Sequence, residues 1–533
     1  MGPDAGSTSA SLAGNGDRRV DVVVIGAGFS GIGAGIRLLD AGIDDFLVLD
    51  RADDVGGTWR DNTYPGVAVD VTSMNYCFSF EPNPRWSRVF APGAELRAYT
   101  EHCTDKYGLR PHLRLGHTVT GARFDGDLHE WTIDIVDRPP LRARHVILAS
   151  GGLVEPKPPD IAGIETFAGK VMHTARWDHT YDISGKRVAV IGTGASAVQV
   201  VPAIAPAAAR LSVFQRTPIW LLPKPDAAIP AGLQRLFATV PPVQALLRAA
   251  LSAVTQSVFL GGILYHRQLP GLGRAFERLS RSHLARQVPD PDLRRALTPD
   301  YSFGCKRPSF SNDYWATFNR PDVALVTDSI EMITPSGIRT ADGTDHEVDL
   351  LVLATGFKVF ERGNLPPFPV VGPDGTELGA FWDEHRYQAY EGATVPQFPN
   401  LFHIIGPYAM TGASYFSMIE AMTLHAVRCI TEARRRGATQ VSVRQEPHDR
   451  YFAEVHRRLR NSVFVNGDCT RSNSYYFDRH GDTPILRPST GFGLWWRHRV
   501  FDLDDYEYRR AEPVPAHAAS DPRTVVAIQS SRK

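Results

Sequence analysis

The sequence has few cysteines and no surplus of charge of either sign. Its 533 residues include five cysteines, and none of them stands in a CxxC or Cys/His spacing typical of metal ligands. We therefore expect no metal site and reduced thiols, as in a cytoplasmic protein. Lysine plus arginine and aspartate plus glutamate both number 58. This balance argues against a general nucleic-acid binder, which normally carries a basic face.

Long apolar runs and a signal peptide are missing as well. The first residues have neither a basic start nor an apolar centre. The longest charge-free apolar stretch covers residues 249–265 and is interrupted by four polar side chains. It is shorter than the ~20 apolar residues of a membrane span, so we expect no span. A helix that lies on a membrane surface stays open for this stretch.

One pattern occurs twice in the chain: an apolar strand, a glycine turn, a helix and a second apolar strand. It begins near residue 21 and again near residue 187, and it is typical of the βαβ unit that binds dinucleotides. In residues 223–299 the apolar strands are replaced by Leu, Ala and Arg that recur at helical spacing. We predict an α/β protein with two Rossmann-like dinucleotide-binding domains. The predicted boundaries are residues 19–155 with 355–510 for the first domain, 165–354 for the second, 223–299 for an all-helical insertion within the second, and 1–18 and 511–533 for disordered tails.

The first glycine turn fits a dinucleotide that has a free ribose hydroxyl. Gly26, Gly28 and Gly31 form a GxGxxG that follows the apolar run DVVVI. The three glycines permit a tight turn, close approach of a pyrophosphate and close packing of helix on strand. Asp50 ends the next strand, where a carboxylate accepts hydrogen bonds from the ribose and repels a 2′-phosphate.

The second glycine turn has the opposite ribose preference. Gly192, Thr193 and Gly194 begin it, and the following strand leads into Arg216 and Thr217 without a carboxylate. A cation and a hydroxyl suit a ribose that carries a 2′-phosphate. One chain with both sites is most simply a flavoprotein with FAD in the first and NADPH in the second. Two further strand-to-glycine turns, at residues 146–152 and 351–357, are expected where the chain crosses between the two domains.

A segment between the two turns carries a family fingerprint. Residues 167–178 read FAGKVMHTARWD, which matches every defined position of F-x-G-x-x-x-H-x-x-x-W-[PD], the fingerprint of type I Baeyer–Villiger monooxygenases. The chain resembles this family over most of residues 20–505. The related flavin-containing monooxygenases share the glycine turns but usually lack the tryptophan and the residue after it. Other matching segments are residues 56–80, 215–218, 304–307, 354–357 and 398–407.

The resemblance implies roles for single residues. The residues that would line FAD are Asp50, Thr58, Trp59, Asp70, Tyr76 and Val119. The residues that would hold NADP are Thr193, Gly194, Ser196, Gln199, Arg216, Thr217 and Lys306, the last three around its 2′-phosphate. Arg307 occupies the position of the family's essential active-site arginine, and Asp70 that of the carboxylate that pairs with it. The family often has a tryptophan where this chain has Tyr475, which leaves the role of Tyr475 open.

The implied reaction inserts one oxygen atom beside a ketone carbonyl through a flavin C4a-peroxide, with NADPH and O2, and gives an ester or lactone. The peroxide must remain an anion to attack carbonyl carbon, and an anion in a water-poor site needs a fixed positive charge nearby. Arginine stays protonated and offers several donors in a rigid fork. Arg307 and Asp70 are therefore the predicted catalytic residues. We expect a hydrogen-bonding role for His173, a packing role for Trp177, and a structural role for Cys305, which has no neighbouring partner cysteine.

Three other functions stay open at this point. The same flavin chemistry could oxygenate nitrogen or sulfur. A reductase that passes electrons to a protein partner or a disulfide is a second alternative, although no CxxC pair supports the disulfide version. A non-catalytic flavin sensor is the third. Apolar residues at 360–369 and 408–415 favour a bulky apolar ketone, whereas the oligomeric state is not indicated by the sequence.

Overall fold

A computed structural model describes residues 19–512, so the predicted tail at 1–18 and nearly all of that at 511–533 lie outside the described residues. The strands are β1 (Arg19–Ile25), β2 (Phe46–Leu49), β3 (Leu113–Arg114), β4 (Val119–Asp125), β5 (Glu130–Ile135), β6 (Arg138–Leu148), β7 (Lys170–His173), β8 (Arg187–Ile191), β9 (Arg210–Phe214), β10 (Leu221–Leu222), β11 (Ser309–Phe310), β12 (Val323–Val326), β13 (Ile330–Thr334), β14 (Gly337–Thr340), β15 (Asp345–Glu347), β16 (Leu350–Leu353), β17 (Val370–Val371), β18 (Leu401–His403), β19 (Gln440–Val443) and β20 (Tyr506–Arg509). The helices are α1 (Phe29–Asp40), α2 (Thr58–Asp61), α3 (Gly93–Lys106), α4 (Ala195–Ile204), α5 (Ala231–Thr239), α6 (Pro241–Phe259), α7 (Pro270–Gln287), α8 (Pro291–Leu297), α9 (Tyr314–Thr317), α10 (Leu378–His385), α11 (Tyr415–Arg435), α12 (Gln445–Leu459), α13 (Val463–Asn466) and α14 (Gly491–Val500).

The first sheet is built around β1. Its strand order is β17-β4-β5-β6-β1-β2-β3, with β18 beside β6, and β1 pairs in parallel with both β2 and β6. Val22 and Val24 pack into one core with α1 and α11, while Val23 packs on the other face with Trp131. A strand that is buried on both faces must be apolar at every position, which explains the continuous run of valines.

The second sheet is fully parallel, in the order β12-β9-β8-β16-β7. Helix α4 follows β8, as in a βαβ unit. Between β9 and β12 the chain forms α5, α6, α7 and α8, so that helices occupy the interval from 231 to 297. The two short strands β10 and β11 flank these helices and pair with each other.

Two segments carry the chain between the sheets, one after β6 and one after β16. Pro156 and Phe357 form an antiparallel bridge, and the Thr355 hydroxyl donates a hydrogen bond of 2.6 Å to the Lys157 carbonyl oxygen. Gly151 and Gly356 have φ values of +76° and +81°. The two crossing segments therefore lie side by side and pair with each other.

One helical run is longer than the apolar stretch expected at residues 249–265. It extends from Pro241 to Leu264, because α6 continues into a π-helical turn at Leu260–Leu264. Pro241 and Pro242 stand in its first turn, where the N–H that proline lacks would have no helical partner. By length and composition alone the run could cross a membrane, and only 17% of its most apolar window is buried.

Candidate active site

A cavity of about 2200 Å³ is lined by all of the predicted site residues except one. Gly31 is the exception, because it lies behind the cavity where α1 packs on β1. The predicted residues that line the cavity are Gly26, Gly28, Asp50, Thr58, Trp59, Asp70, Tyr76, Val119, Gly192, Thr193, Gly194, Ser196, Gln199, Arg216, Thr217, Lys306 and Arg307.

At two glycines of the first turn, a side chain would collide with backbone carbonyl oxygens. Gly26 has a φ of +114°, and a Cβ atom there would lie 2.5 Å from the carbonyl oxygen of Ala149. A Cβ atom on Gly31 would lie 1.7 Å from the carbonyl oxygen of Gly26. The turn delivers the N-terminus of α1 to the cavity, where its free backbone N–H groups suit a pyrophosphate.

Asp50 supports this turn and keeps capacity for a ligand. One carboxylate oxygen accepts a hydrogen bond of 2.7 Å from the backbone N–H of Ala27, and the other accepts one of 2.9 Å from that of Ala52. Each carboxylate oxygen has two lone pairs. Asp50 can therefore accept hydrogen bonds from a ribose hydroxyl without releasing the backbone.

Two aromatic side chains among the predicted residues, Trp59 and Tyr76, contact each other in the cavity lining. The Trp59 indole N–H donates a hydrogen bond of 3.2 Å to the Tyr76 hydroxyl, and the two rings meet edge to face with centroids 5.6 Å apart. Burial raises the pKa of Tyr76, so this hydroxyl stays neutral. Thr58 precedes Trp59 at the start of α2, and Val119 begins β4.

The second glycine turn repeats the geometry of the first. Gly192 also has a φ of +114°, and a Cβ there would lie 2.5 Å from the carbonyl oxygen of Ala354. At Gly194 an added Cβ would meet no atom within 4 Å, which leaves space for a ligand close to the backbone. The Thr193 hydroxyl donates a hydrogen bond of 2.5 Å to the Thr217 carbonyl oxygen and connects the turn to the segment after β9.

Lys306 and Arg216 place two positive charges together. Burial, and after it the positive charge of Arg216, lower the pKa of Lys306 to about 8. Across residues 19–512, no carboxylate forms an ion pair with either side chain. Two adjacent cations without an acidic partner suit a dianion such as a 2′-phosphate.

Arg307 and Asp70 form an ion pair although they stand 237 residues apart in the sequence. The Arg307 Nε and Nη2 atoms lie 2.9 Å and 2.8 Å from the same oxygen of Asp70. Asp70 is the main reason that the pKa of Arg307 is raised, so the guanidinium is permanently charged. About a third of the Arg307 side chain is exposed, and it lines the cavity.

The structure adds Asn473, which sequence reasoning missed, and Tyr475, whose role it left open, to the cavity lining. The Asn473 side-chain amide donates a hydrogen bond of 2.7 Å to the Thr217 hydroxyl, and Asn473 has a φ of +45°. The Tyr475 side chain is hydrogen-bonded with Arg307, while burial raises the pKa of Tyr475. The substitution of tyrosine for tryptophan at 475 was the one signal in the sequence that pointed to this segment.

The expectation that Cys305 is a reduced thiol without a partner cysteine is wrong. Cys305 forms a disulfide with Cys469, which lies 164 residues further along the chain. The fold brings the two segments together: the Ser302 N–H donates to the Asp468 carbonyl oxygen at 2.9 Å, and the Asp468 N–H donates to the Ser302 hydroxyl at 3.0 Å. A pairing across so long a separation leaves no local spacing motif. The other three cysteines are buried free thiols.

Comparison with known proteins identifies the family. A profile of the pyridine nucleotide-disulphide oxidoreductases matches residues 23–240. A Baeyer–Villiger monooxygenase of Streptomyces coelicolor is 39% identical over 503 residues, which cover 94% of each chain. The chain belongs to the Baeyer–Villiger monooxygenase family.

Solved structures agree with this family. Cyclohexanone monooxygenase from Rhodococcus sp. Phi1 bound to NADP+ superimposes with a TM-score of 0.81 at 27% identity, covering 93% of this chain and 100% of that one. OTEMO in complex with FAD and NADP gives a TM-score of 0.80 at 27% identity, with 92% and 99% covered. The predicted family, the α/β fold of Rossmann type and the flavin-dependent monooxygenase class are therefore confirmed.

In this Baeyer–Villiger monooxygenase the fingerprint segment lies outside the cavity wall. None of residues 167–178 lines the cavity. The Nδ1 atom of His173 accepts a hydrogen bond of 3.1 Å from the Ala175 N–H, and its ring meets Phe357 edge to face. Trp177 packs against the core of the second sheet. The fingerprint thus holds a crossing segment against this sheet.

Proposed function

We propose that this protein is a Baeyer–Villiger monooxygenase that uses FAD, NADPH and O2 to insert one oxygen atom beside the carbonyl of an apolar ketone. The product is an ester or a lactone. The observation that carries the proposal is the Arg307–Asp70 ion pair, which lines the same cavity as both glycine turns. The location that we propose with this function is the cytoplasm, where NADPH is available; the Cys305–Cys469 disulfide is then an exception to the reduced thiols that are usual there.

FAD and NADPH are the cofactors, and the residues present fit both of them. The N-terminus of α1 and the Asp50 carboxylate fit the pyrophosphate and ribose of FAD. The open space at Gly194 and the cations Lys306 and Arg216 fit NADPH. When bound, FAD supplies the redox chemistry that activates O2 with the electrons of NADPH.

Arg307 contributes a fixed positive charge to this cavity. Its guanidinium stabilises the oxyanion that develops on the carbonyl oxygen of the ketone during attack. Asp70 occupies Nε and Nη2 and thereby holds the orientation of the group, while other N–H donors of the fork remain for the substrate. A single donor of this kind lowers the barrier by about 3–4 kcal/mol.

The ketone is proposed to be apolar and bulky. The cavity wall includes Phe259 and Ile263 from the π-helical end of α6, and Phe360, Met410 and Leu486 from loops. Apolar walls bind a substrate by removing its apolar surface from water. Since a structural relative is a cyclohexanone monooxygenase, cyclic ketones come first in the panel to be tested.

The decisive experiment changes Arg307→Ala. Purified enzyme receives NADPH and a panel of linear, cyclic, aromatic and steroidal ketones, and mass spectrometry detects the gain of one oxygen atom. We expect ester formation to fall by several hundredfold, because the oxyanion loses its stabilising charge. NADPH oxidation, followed by its absorbance, should continue.

The matched control is Arg320→Ala, which removes an exposed arginine that pairs with Asp322. It should form ester at the wild-type rate. If Arg307→Ala also forms ester at that rate, the assigned chemistry is wrong. If the wild type forms no ester from any ketone but adds oxygen to sulfides or amines, the enzyme oxygenates sulfur or nitrogen instead.

A further inference from the structure

Helix α6 has the reverse of the usual polarity of a surface helix. Surface helices normally turn apolar side chains inward and polar ones to water. Here four polar residues at four-residue spacing face the protein body: Gln244 donates to the Asn83 carbonyl oxygen, Arg248 to the carbonyl oxygens of Cys77 and Phe78, and Ser252 to Asn75, while Gln256 accepts from the Gly491 N–H. The opposite face is apolar and exposed, with Leu246 72% and Val254 64% exposed.

Helix α14 extends this apolar surface with aromatic side chains. It begins at Gly491, whose N–H is bound to Gln256 of α6 at 2.8 Å. Phe492, Trp495 and Trp496 are exposed and lie in mutual ring contact. Tryptophan is enriched where proteins meet the boundary between lipid and water. We call α5, α6 and α14 together the apolar platform. Leu233 and Leu236 of α5, and Val240 between α5 and α6, are exposed on it as well.

The charge of the apolar platform is of one sign. No aspartate or glutamate occurs between Asp226 and Glu277 or between Asp482 and Asp502, although the whole chain has as many acids as bases. Arg235 of α5 and Arg499 of α14 are exposed, and among residues 19–512 no carboxylate pairs with either. The Arg499 guanidinium lies 5.4 Å from the centre of the Trp495 ring. An apolar face with unpaired cations at its border complements anionic lipid headgroups.

We propose that the apolar platform docks this protein onto an anionic lipid surface, with α6 lying in the plane of the membrane. The hydrogen-bonded stripe of α6 holds it to the protein, so the helix rests on the lipid and does not cross it. Thr255, Val258 and Phe259 of the same helix line the cavity. Docking therefore places the cavity wall beside the lipid, where apolar ketones dissolve; this last consequence rests on the proposed function, whereas docking does not.

Flotation of the full-length holoenzyme with lipid vesicles tests the proposal without any ketone. Vesicles of phosphatidylcholine are compared with vesicles that also contain phosphatidylglycerol, at low and high salt. We expect binding to the anionic vesicles, weakened by salt because the ionic part is screened. The double variant Leu246→Glu/Val254→Glu should bind at least tenfold more weakly, about the effect of losing one buried apolar side chain.

Val136→Glu is the matched control, because Val136 is 45% exposed on the β5–β6 hairpin and lies outside the apolar platform. It should bind vesicles like the wild type. Absence of binding to anionic vesicles, or equal binding by the double variant, overturns the proposal. Sedimentation velocity supplies a second outcome that overturns it: a dimer that the double variant alone dissociates would mean that a second copy covers the platform. Ketone oxidation is measured separately, so failure of either proposal is distinguishable.

Discussion

Within residues 19–512, Lys306 has no carboxylate partner, and its pKa is lowered to about 8. Both features suit the binding of a phosphate. Lys306→Ala removes one of two cations at the proposed 2′-phosphate site. A hydrogen bond to a charged group contributes about 1.5–3 kcal/mol, so the KM for NADPH should rise by roughly tenfold to a hundredfold. The KM for NADH, which has no 2′-phosphate, should change little. Steady-state kinetics with both coenzymes measure this difference; equal effects would mean that Lys306 does not contact the phosphate.

The same residue predicts a pH dependence. With a pKa of about 8, Lys306 is charged below that pH and loses its proton above it. The kcat/KM for NADPH should therefore fall as the pH rises through about 8, whereas that for NADH stays flat over the same interval. Lys306→Arg keeps the charge at every pH of the assay and serves as the control that removes the fall.

The positions of single residues in the fold follow from the sequence where a local pattern fixes them, whereas their binding roles stay predictions. Gly26 and Gly192 could be placed because a tight turn after a strand demands them, and Asp50 because it ends the next strand. Asn473 could not, because its contact with Thr217 joins segments 256 residues apart. The ion pair of Arg307 with Asp70 also joins residues that are far apart in the sequence, 237 positions, and only the family resemblance indicated it.

At the scale of elements, the disulfide joins the loop before Lys306 to the segment that carries Asn473 and Tyr475. Alkylation of the denatured protein should label three thiols without reductant and all five after reduction. A disulfide that closes so long a loop stabilises a protein by roughly 2–5 kcal/mol, so reductant should lower the Tm of the wild type. The Tm of Cys469→Ser, which lacks the bond, should not respond. Five labelled thiols without reductant would contradict the pairing.

Elements were predictable from the sequence to the extent that their ends carry signals. The end of α11, Tyr415–Arg435, carries such a signal, because Gly437 follows it with a φ of +63°, as is typical of a glycine that ends a helix. The apolar stretch at residues 249–265 begins eight residues after α6 does, because Arg248 interrupts the charge-free run but not the helix. That its polar stripe faces inward follows from tertiary contacts alone.

At the scale of the whole molecule, the segment from Tyr64 to Asp70 joins the first sheet's domain to α4 of the second. The Tyr64 hydroxyl donates a hydrogen bond of 2.8 Å to the Gln199 side-chain oxygen, and the Gln199 amide donates one of 2.9 Å to the Ala68 carbonyl oxygen. Gly66 lies directly on the helix backbone between these bonds. Because Asp70 ends this segment and Arg307 belongs to the other half of the chain, we expect the contact to determine how these two proposed catalytic groups are aligned.

Gly66→Ala tests this dependence of the active site on domain contact. Gly66 has a φ of +84°, and an added Cβ would lie 2.7 Å from the Gln199 carbonyl oxygen, so the segment must move off α4 and carry Asp70 with it. A shift of about 1 Å in a catalytic group can cost about a hundredfold in rate, and we expect at least a tenfold loss of ester formed per NADPH consumed.

Gly108→Ala is the matched control: its φ is +66°, but an added Cβ meets no atom within 4 Å. It therefore imposes similar backbone strain without the collision and should keep the wild-type ratio. The ratio is measured by quantifying ester and NADPH in the same reaction. An unchanged ratio in Gly66→Ala would show that the alignment of Arg307 and Asp70 does not depend on this contact.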